Sequence, residues 1–155
     1  MLWSDSVAPV TPDRRVRMAL VSDLDQYLPA ATAMFTEELG IRPHPLGGAD
    51  GYQSRLAAMV ASGRAYLLAD ERGRVVFKAE IGAVSRHTAQ LQGVWVHPRL
   101  RGQGVGTAAM ATVIEKALRL APAVSLYVND YNLPARALYA KLGLRQVGTL
   151  ATLLF

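Results

Sequence analysis

The sequence predicts a mixed α/β (α+β) fold, a central, mostly antiparallel sheet of about six to seven strands flanked by about four helices. Three observations lead there. From Arg64 to His97 the apolar residues recur with a period of two and no helix-sized segment intervenes, so the strands in that stretch are antiparallel neighbours. Val94–Val128 runs strand, glycine-rich loop, long helix, strand, the order of a right-handed crossover between parallel strands. Two helical patterns precede all of this, and the lack of a helix between the three antiparallel strands argues against a doubly wound parallel sheet.

Taken in order, Met1 to about Arg14 holds Pro9, Pro12, Ser4, Ser6, Asp5 and Asp13 with little periodicity, and reads as an arm or linker in which Leu2 and Trp3 are the bulky apolar residues. A single domain is expected from residue 15 to 155. Val16–Leu20 suits a first strand. Ser22 and Asp23 are cap candidates for a helix whose apolar face is Leu24, Leu28, Ala31, Phe35 and Leu39, with Gly40 as its stop. Glu37 and Glu38 sit at its C-terminal end, where the helix dipole disfavours them; they are surface charges or functional ones. Ile41–Gly51, with two prolines and three glycines, is a loop carrying His44, and Tyr52–Ser62 is a second helix. Ala65–Leu68 and Val75–Val84 flank the hairpin turn Asp70–Gly73. Within the second of these strands Phe77, Ala79 and Ile81 share one face, and Val76, Lys78, Glu80 and Gly82 the other. Lys78 and Glu80 are either an ion pair on an exposed face or a carboxylate, with its neighbour, facing a cleft. Ala89–His97 is the third antiparallel strand. Gly104 to about Leu120 forms the main helix, ended by Ala121-Pro122, and Val124–Val128 a further strand. Ala135–Leu142 is a short helix with Pro134 in its first turn and Gly143 at its end. Leu144–Val147 and Leu150–Phe155 close the sheet as a final hairpin.

The chain has 155 residues, 51% of them hydrophobic and 19% charged, as in ordinary globular domains. It lacks cysteine, so disulfides and thiolate metal sites are excluded, and an intracellular, cytoplasmic address fits. No apolar run approaches the ~20 residues of a membrane span, and the start lacks a signal-peptide pattern. The net charge is +5, but the arginines are dispersed and no aromatic-interleaved basic segment exists, so nucleic acid is not the expected partner. The charge suits either a basic protein surface or a polyanionic small molecule.

The stretch Val94–Met110 carries the functional signal. Its β-type run stops at His97-Pro98, passes through Arg99, Arg101, Gly102, Gly104 and Gly106, and becomes the main helix. Glycines permit tight turning, and successive backbone N–H groups at a helix N-terminus form an anion cradle, suited to a diphosphate. A P-loop needs Gly-Lys-Ser/Thr, and no lysine stands here. Gly104, Gly106 and Ala109 satisfy the dinucleotide pattern G-x-G-x-x-A, but off the strand end and behind an antiparallel half, which disfavours a nicotinamide-dinucleotide domain. Arg101, Gly104 and Gly106 closely resemble the R/Q-x-x-G-x-G/A coenzyme A loop of the GNAT N-acetyltransferases. A second segment, Asn132-Leu133-Pro134-Ala135-Arg136-Ala137-Leu138-Tyr139-Ala140-Lys141-Leu142-Gly143-Leu144, is similar to that family's N-x-x-A-x-x-L-Y-x-x-x-G-F signature, with Leu144 for the usual phenylalanine.

The resemblance implies acetyl-CoA (coenzyme A) as cofactor and direct attack by a primary amine, on a small molecule, peptide or protein, in a ternary complex. It places the pyrophosphate on the amides of Arg101, Gly102, Gln103, Gly104, Val105, Gly106 and Thr107, and the thioester and pantetheine on those of Val94, Trp95 and Val96. Asn132 would bond backbone or a cofactor amide, and Tyr139 would protonate the departing thiolate; a phenol of pKa ~10 is a reasonable acid for a thiolate of similar basicity. Tyr139 is otherwise an aromatic filling the core beside Leu138 and Leu142. The general base is less legible. Positions where many relatives carry glutamate hold Gln90 and Tyr127 here, which leaves Glu80, acting directly or through water. Those missing glutamates also permit a catalytically degenerate domain that binds acyl-CoA as a regulatory module. A preceding domain or a homodimer is compatible with the proline-containing start.

Overall fold

The computed structural model describes residues 1–40, 49–151 and 153. Its elements are β1 (Leu2–Ser4), β2 (Arg17–Met18), α1 (Leu24–Leu39), α2 (Ala49–Ala61), β3 (Ala65–Ala69), β4 (Val75–Val84), β5 (Ala89–Val96), α3 (Val105–Leu118), β6 (Val124–Leu126), α4 (Leu133–Lys141) and β7 (Arg145–Gln146). One seven-stranded sheet has the order β2-β3-β4-β5-β6-β1-β7, with β5–β6 its parallel pair and the remaining pairs antiparallel. The mixed, mostly antiparallel sheet with four helices is the architecture the hydrophobic periodicity predicts.

Each face of the sheet carries its own core. Phe77, Ala79 and Ile81 of β4 pack with Met110, Val113 and Ile114 of α3, all fully buried. On the opposite face Tyr27, Ala30 and Ala31 of α1 and Leu56 and Val60 of α2 pack with Leu67 and Trp95. The alternation along β4 follows the strand period from Phe77 to Ile81. Val76 joins the first core with Phe77, because the β3–β4 register slips between Leu68 and Ala69.

Two readings of the termini need correction. The arm expected over residues 1–14 is part of the sheet: Leu2–Ser4 is the strand inserted between β6 and β7, with Leu2 and Ser4 buried. The following residues are held as well, since Ala8 lies in the core, the Asp13 amide donates to Ala108 O at 2.9 Å, and Thr112 Oγ1 donates to Asp13 O at 2.6 Å. A three-residue strand is too short for alternation to register among prolines and serines. The final hairpin is likewise absent among the described residues. Arg145–Gln146 pairs with β1, while Thr149–Ala151 and Leu153 carry no strand. Residues 41–48 of the predicted loop, with His44, lie outside the described residues, and Ala49–Gly51 belongs to α2.

Candidate functional site

The parallel pair β5–β6 is bonded only over its first half. Ala89, Gln90 and Leu91 pair with Val124, Ser125 and Leu126, and beyond that point the two strands part. The cause lies in β5, where β4 advances two residues from Lys78 to Glu80 while β5 advances three, from Trp95 to Gln92. The extra residue is a bulge at Gly93, whose φ of 60° favours glycine. The split opens a cavity of about 630 Å³ between Gly93 and Val94 on one side and Tyr127, Val128, Asn132 and Tyr139 on the other. Past the bulge the His97 amide donates to Val76 O at 2.8 Å, toward β4. Strand alternation turns the Trp95 amide the same way and the Val94 and Val96 amides toward the split. Of the three amides expected at the thioester and pantetheine, two therefore face it. The Trp95 side chain lies in the α1/α2 core, its Nε1 donating to Glu37 Oε1 at 3.4 Å.

The glycine-rich loop stands beyond the end of β5 and contributes nothing to the cavity wall. Gly102 and Gly104 have φ of 75° and 80°, with open space where a Cβ would stand. Among the described residues, the backbone N–H groups of Gly102, Gln103, Gly104, Val105, Gly106 and Thr107 have no hydrogen-bond partner. These are consecutive donors at the N-terminus of a 14-residue helix, with its dipole behind them. Gly106 is set apart from the other two, because a Cβ there would stand 2.8 Å from Val96 Cγ2 and 3.1 Å from Leu138 Cδ1. It lets α3 pack against β5 and α4, which brings the loop next to the helix carrying Tyr139.

The Arg101 side chain is engaged within the protein. Its Nη2 bonds both carboxylate oxygens of Glu37 at 3.0 and 2.8 Å, and its Nε donates to Val96 O at 2.9 Å. The C-terminal end of α1 is thus tied to the loop, a contact that the position of Glu37 at a helix end does not reveal. Gln103 closes the loop on itself, its Nε2 donating to Arg99 O at 2.7 Å. Asn132 caps α4, its Oδ1 accepting from the Ala135 amide at 3.3 Å, and its Nδ2 is without a partner among the described residues on the cavity wall.

Tyr139 is 6% exposed, and its hydroxyl, unbonded among the described residues, is not sealed from solvent. Burial, reinforced by the Glu38 carboxylate, pushes its pKa up to about 12. Glu38 lines the same cavity, so one of the two glutamates ending α1 faces the site.

Glu80 and Lys78 combine the two readings of their strand. They form an ion pair at 2.8 Å, but a buried one, with side chains 5% and 1% exposed. The pair lines a second, smaller cavity of about 240 Å³ beneath α1 and α2, walled by Met34, Tyr52, Leu56 and Met59. Glu80 Oε1 also accepts from Tyr27 Oη at 2.6 Å, and burial with the facing carboxylate drives the Tyr27 hydroxyl far above the usual tyrosine range. Glu80 Oε2 lies against Gly93, where a Cβ would collide with it. Gln92 and Gly93 border both cavities, so the two meet across the bulge. Tyr27 is absent from the predicted α1 face although it fits the spacing, three residues after Leu24 and four before Ala31.

The sequence pattern of the acetyltransferase (GNAT) family matches residues 26–144. No curated protein matches the chain. Among solved structures, a GNAT-family acetyltransferase from Colwellia psychrerythraea superposes with a TM-score of 0.72 at 14% identity, covering 94% of this chain and 51% of its own. The chain thus spans about half the length of that protein. A ribosomal-protein-alanine N-acetyltransferase from Brucella melitensis gives 0.66 at 24% identity over 86% of this chain and 85% of its own. An acetyltransferase from Trypanosoma brucei gives 0.65 at 22% identity over 90% and 98%. At these identities the shared property is the fold.

Proposed function

As the chain belongs to the acetyltransferase (GNAT) family, we propose that it is an N-acetyltransferase moving the acetyl group of acetyl-CoA to a primary amine by direct attack in a ternary complex. The observation that carries this reading is the row of six unpartnered amides, Gly102–Thr107, at the helix N-terminus beside a cleft that keeps strand-edge amides free. A diphosphate matches the first, and an extended amide-bearing chain laid along β5 matches the second. Acetyl-CoA has both parts, and it supplies an activated acetyl thioester when bound.

In this reading the loop amides from Gly102 to Thr107 hold the pyrophosphate; the Arg101 amide, expected to join them, instead donates to Pro98 O at 3.4 Å, and its guanidinium, paired with Glu37, ties α1 to the loop. The Val94 and Val96 amides orient the pantetheine arm and the thioester oxygen. Asn132 Nδ2 donates to an amide carbonyl of the arm. The acceptor amine enters through the smaller cavity and meets the thioester across Gly93, which carries no side chain to block the way. Glu80, with Oε2 at that opening, takes the amine's proton directly or through water. As the new C–N bond forms and the C–S bond breaks, Tyr139 gives its proton to the departing thiolate. Burial lifts its pKa to about 12, above the thiolate-matched value of ~10, so the hydroxyl stays protonated but is a weaker acid than the sequence implies.

The test is ligand selectivity. Acetyl-CoA at saturating concentration raises the melting temperature by mass action, while NADH and ATP at equal concentration do not. Equal shifts from all three defeat the assignment.

A further inference from the structure

We infer that Lys78 is a positioning residue: its buried ammonium pins the β5 bulge, and so sets the width of the donor cleft from inside the core. The inference rests on the acetyl-CoA reading above. Lys78 is 0% exposed, and burying an ammonium costs several kcal/mol unless all its donors are met. They are met at three points. Nζ approaches Glu80 Oε1 at 2.8 Å, Gly93 O at 2.7 Å and, more weakly, Met34 Sδ at 3.7 Å. The Gly93 carbonyl belongs to the extra residue of the bulge, the one whose positive φ takes it out of the ladder. Glu80 is held in turn by Tyr27 Oη, so Tyr27, Glu80, Lys78 and Gly93 form one chain of contacts from α1 across β4 to β5.

That arrangement has a consequence for the cleft. The bulge separates the half of β5 paired with β6 from the half whose Val94 and Val96 amides stay free, and the two cavities meet at Gln92 and Gly93. A pin on Gly93 O therefore controls both the presentation of those amides and the opening between donor and acceptor. An apolar residue at 78 would fill the same volume and leave the bulge without its donor. A buried ion pair confers little net stability over neutral replacements of similar size, so its presence here is better accounted for by geometry than by stability.

The test separates Lys78 from Glu80 by comparing E80Q with K78M/E80Q, using acetyl-CoA affinity by calorimetry, which needs no acceptor. E80Q takes the countercharge from the ammonium and lowers the melting temperature, but in the folded variant Gly93 O and a side-chain oxygen still accept from Lys78. Acetyl-CoA affinity stays within about twofold of the parent while turnover falls, as for loss of a proton acceptor. In K78M/E80Q no charge is left unpaired, the protein folds, and acetyl-CoA affinity drops about tenfold, as for the loss of one or two amide hydrogen bonds to the pantetheine arm. K78Q/E80Q, whose shorter side chain cannot reach Gly93 O, replaces it if methionine is not tolerated. Parent-like affinity in a folded double variant overturns the inference, as does failure of both double variants to fold, which makes Lys78 a folding residue. If the parent itself does not bind acetyl-CoA, the functional reading fails instead, and calorimetry on the parent separates the two failures.

Discussion

Replacing Leu2 by alanine tests whether the first four residues belong to the folded core. Leu2 is 7% exposed, lies in the larger core cluster, and pairs with Leu126 on one side and Gln146 on the other. Truncating a buried leucine to alanine costs about 2–5 kcal/mol. The lower half of that range applies, because β1 has three residues and the neighbouring β7 has two, so the site can partly collapse. At about 2–3 kcal/mol, and with a degree scale of about 2–4 °C per kcal/mol for a chain of this size, the melting temperature falls by about 4–12 °C. Circular dichroism melts of parent and Leu2→Ala measure it. Deleting residues 1–6 removes the strand that joins β7 to the sheet, so its effect exceeds that of Leu2→Ala, and acetyl-CoA binding weakens with it because Met1 and Leu2 line the larger cavity. A melting temperature within about 1 °C of the parent refutes the reasoning and restores the arm as a passive linker.

The site yields further expected outcomes. Tyr139→Phe keeps the ring that fills the space beside α3 and removes the proton, so acetyl-CoA affinity is retained while turnover drops by about 10²–10⁴-fold in a steady-state assay. Because burial and Glu38 raise the Tyr139 pKa to about 12, the acid form persists past the ordinary tyrosine value; the stability it lends is complete below about pH 10 and is lost as pH climbs through about 12. A parent whose kcat falls with a pKa below about 9 through loss of the Tyr139 proton contradicts that assignment. If parent and variant both bind acetyl-CoA and acetylate no amine, the chain is a binding module. Gly106→Val places a side chain where a Cβ alone already meets Val96 Cγ2 at 2.8 Å, and overpacking of this kind costs about 1–3 kcal/mol. Gly104→Ala finds open space and is strained through its φ of 80°, a cost of the same order, and its Cβ enters the space over the amide row, so both its melting temperature and its acetyl-CoA affinity fall.

Most of the secondary structure was legible because it is written in local periodicity. The two-residue alternation from Ala65 to Val96, the Asp70–Gly73 turn, and the three- and four-residue spacing of the main helix each report an element that forms over its own length. The loop was legible for a related reason: glycines at 102 and 104 ahead of an apolar helical pattern mark a tight turn into a helix start with free amides, while the packing role of Gly106 against Val96 and Leu138 was not. Pairing between distant segments was not. That Leu2–Ser4 lies between β6 and β7, where Leu150–Phe155 was expected to complete a hairpin, depends on which chain segment meets the open edge of β6, and three residues carry too little pattern to say. The burial of Lys78 and Glu80 depends on α1 and α2 covering that face of β4, and the bond from Arg101 to Glu37 joins residues 64 positions apart. Spacing along a strand or helix assigns a side chain to a face; only the completed tertiary structure decides whether that face meets water, a partner charge or the cleft, because desolvation is set by what packs from elsewhere in the chain.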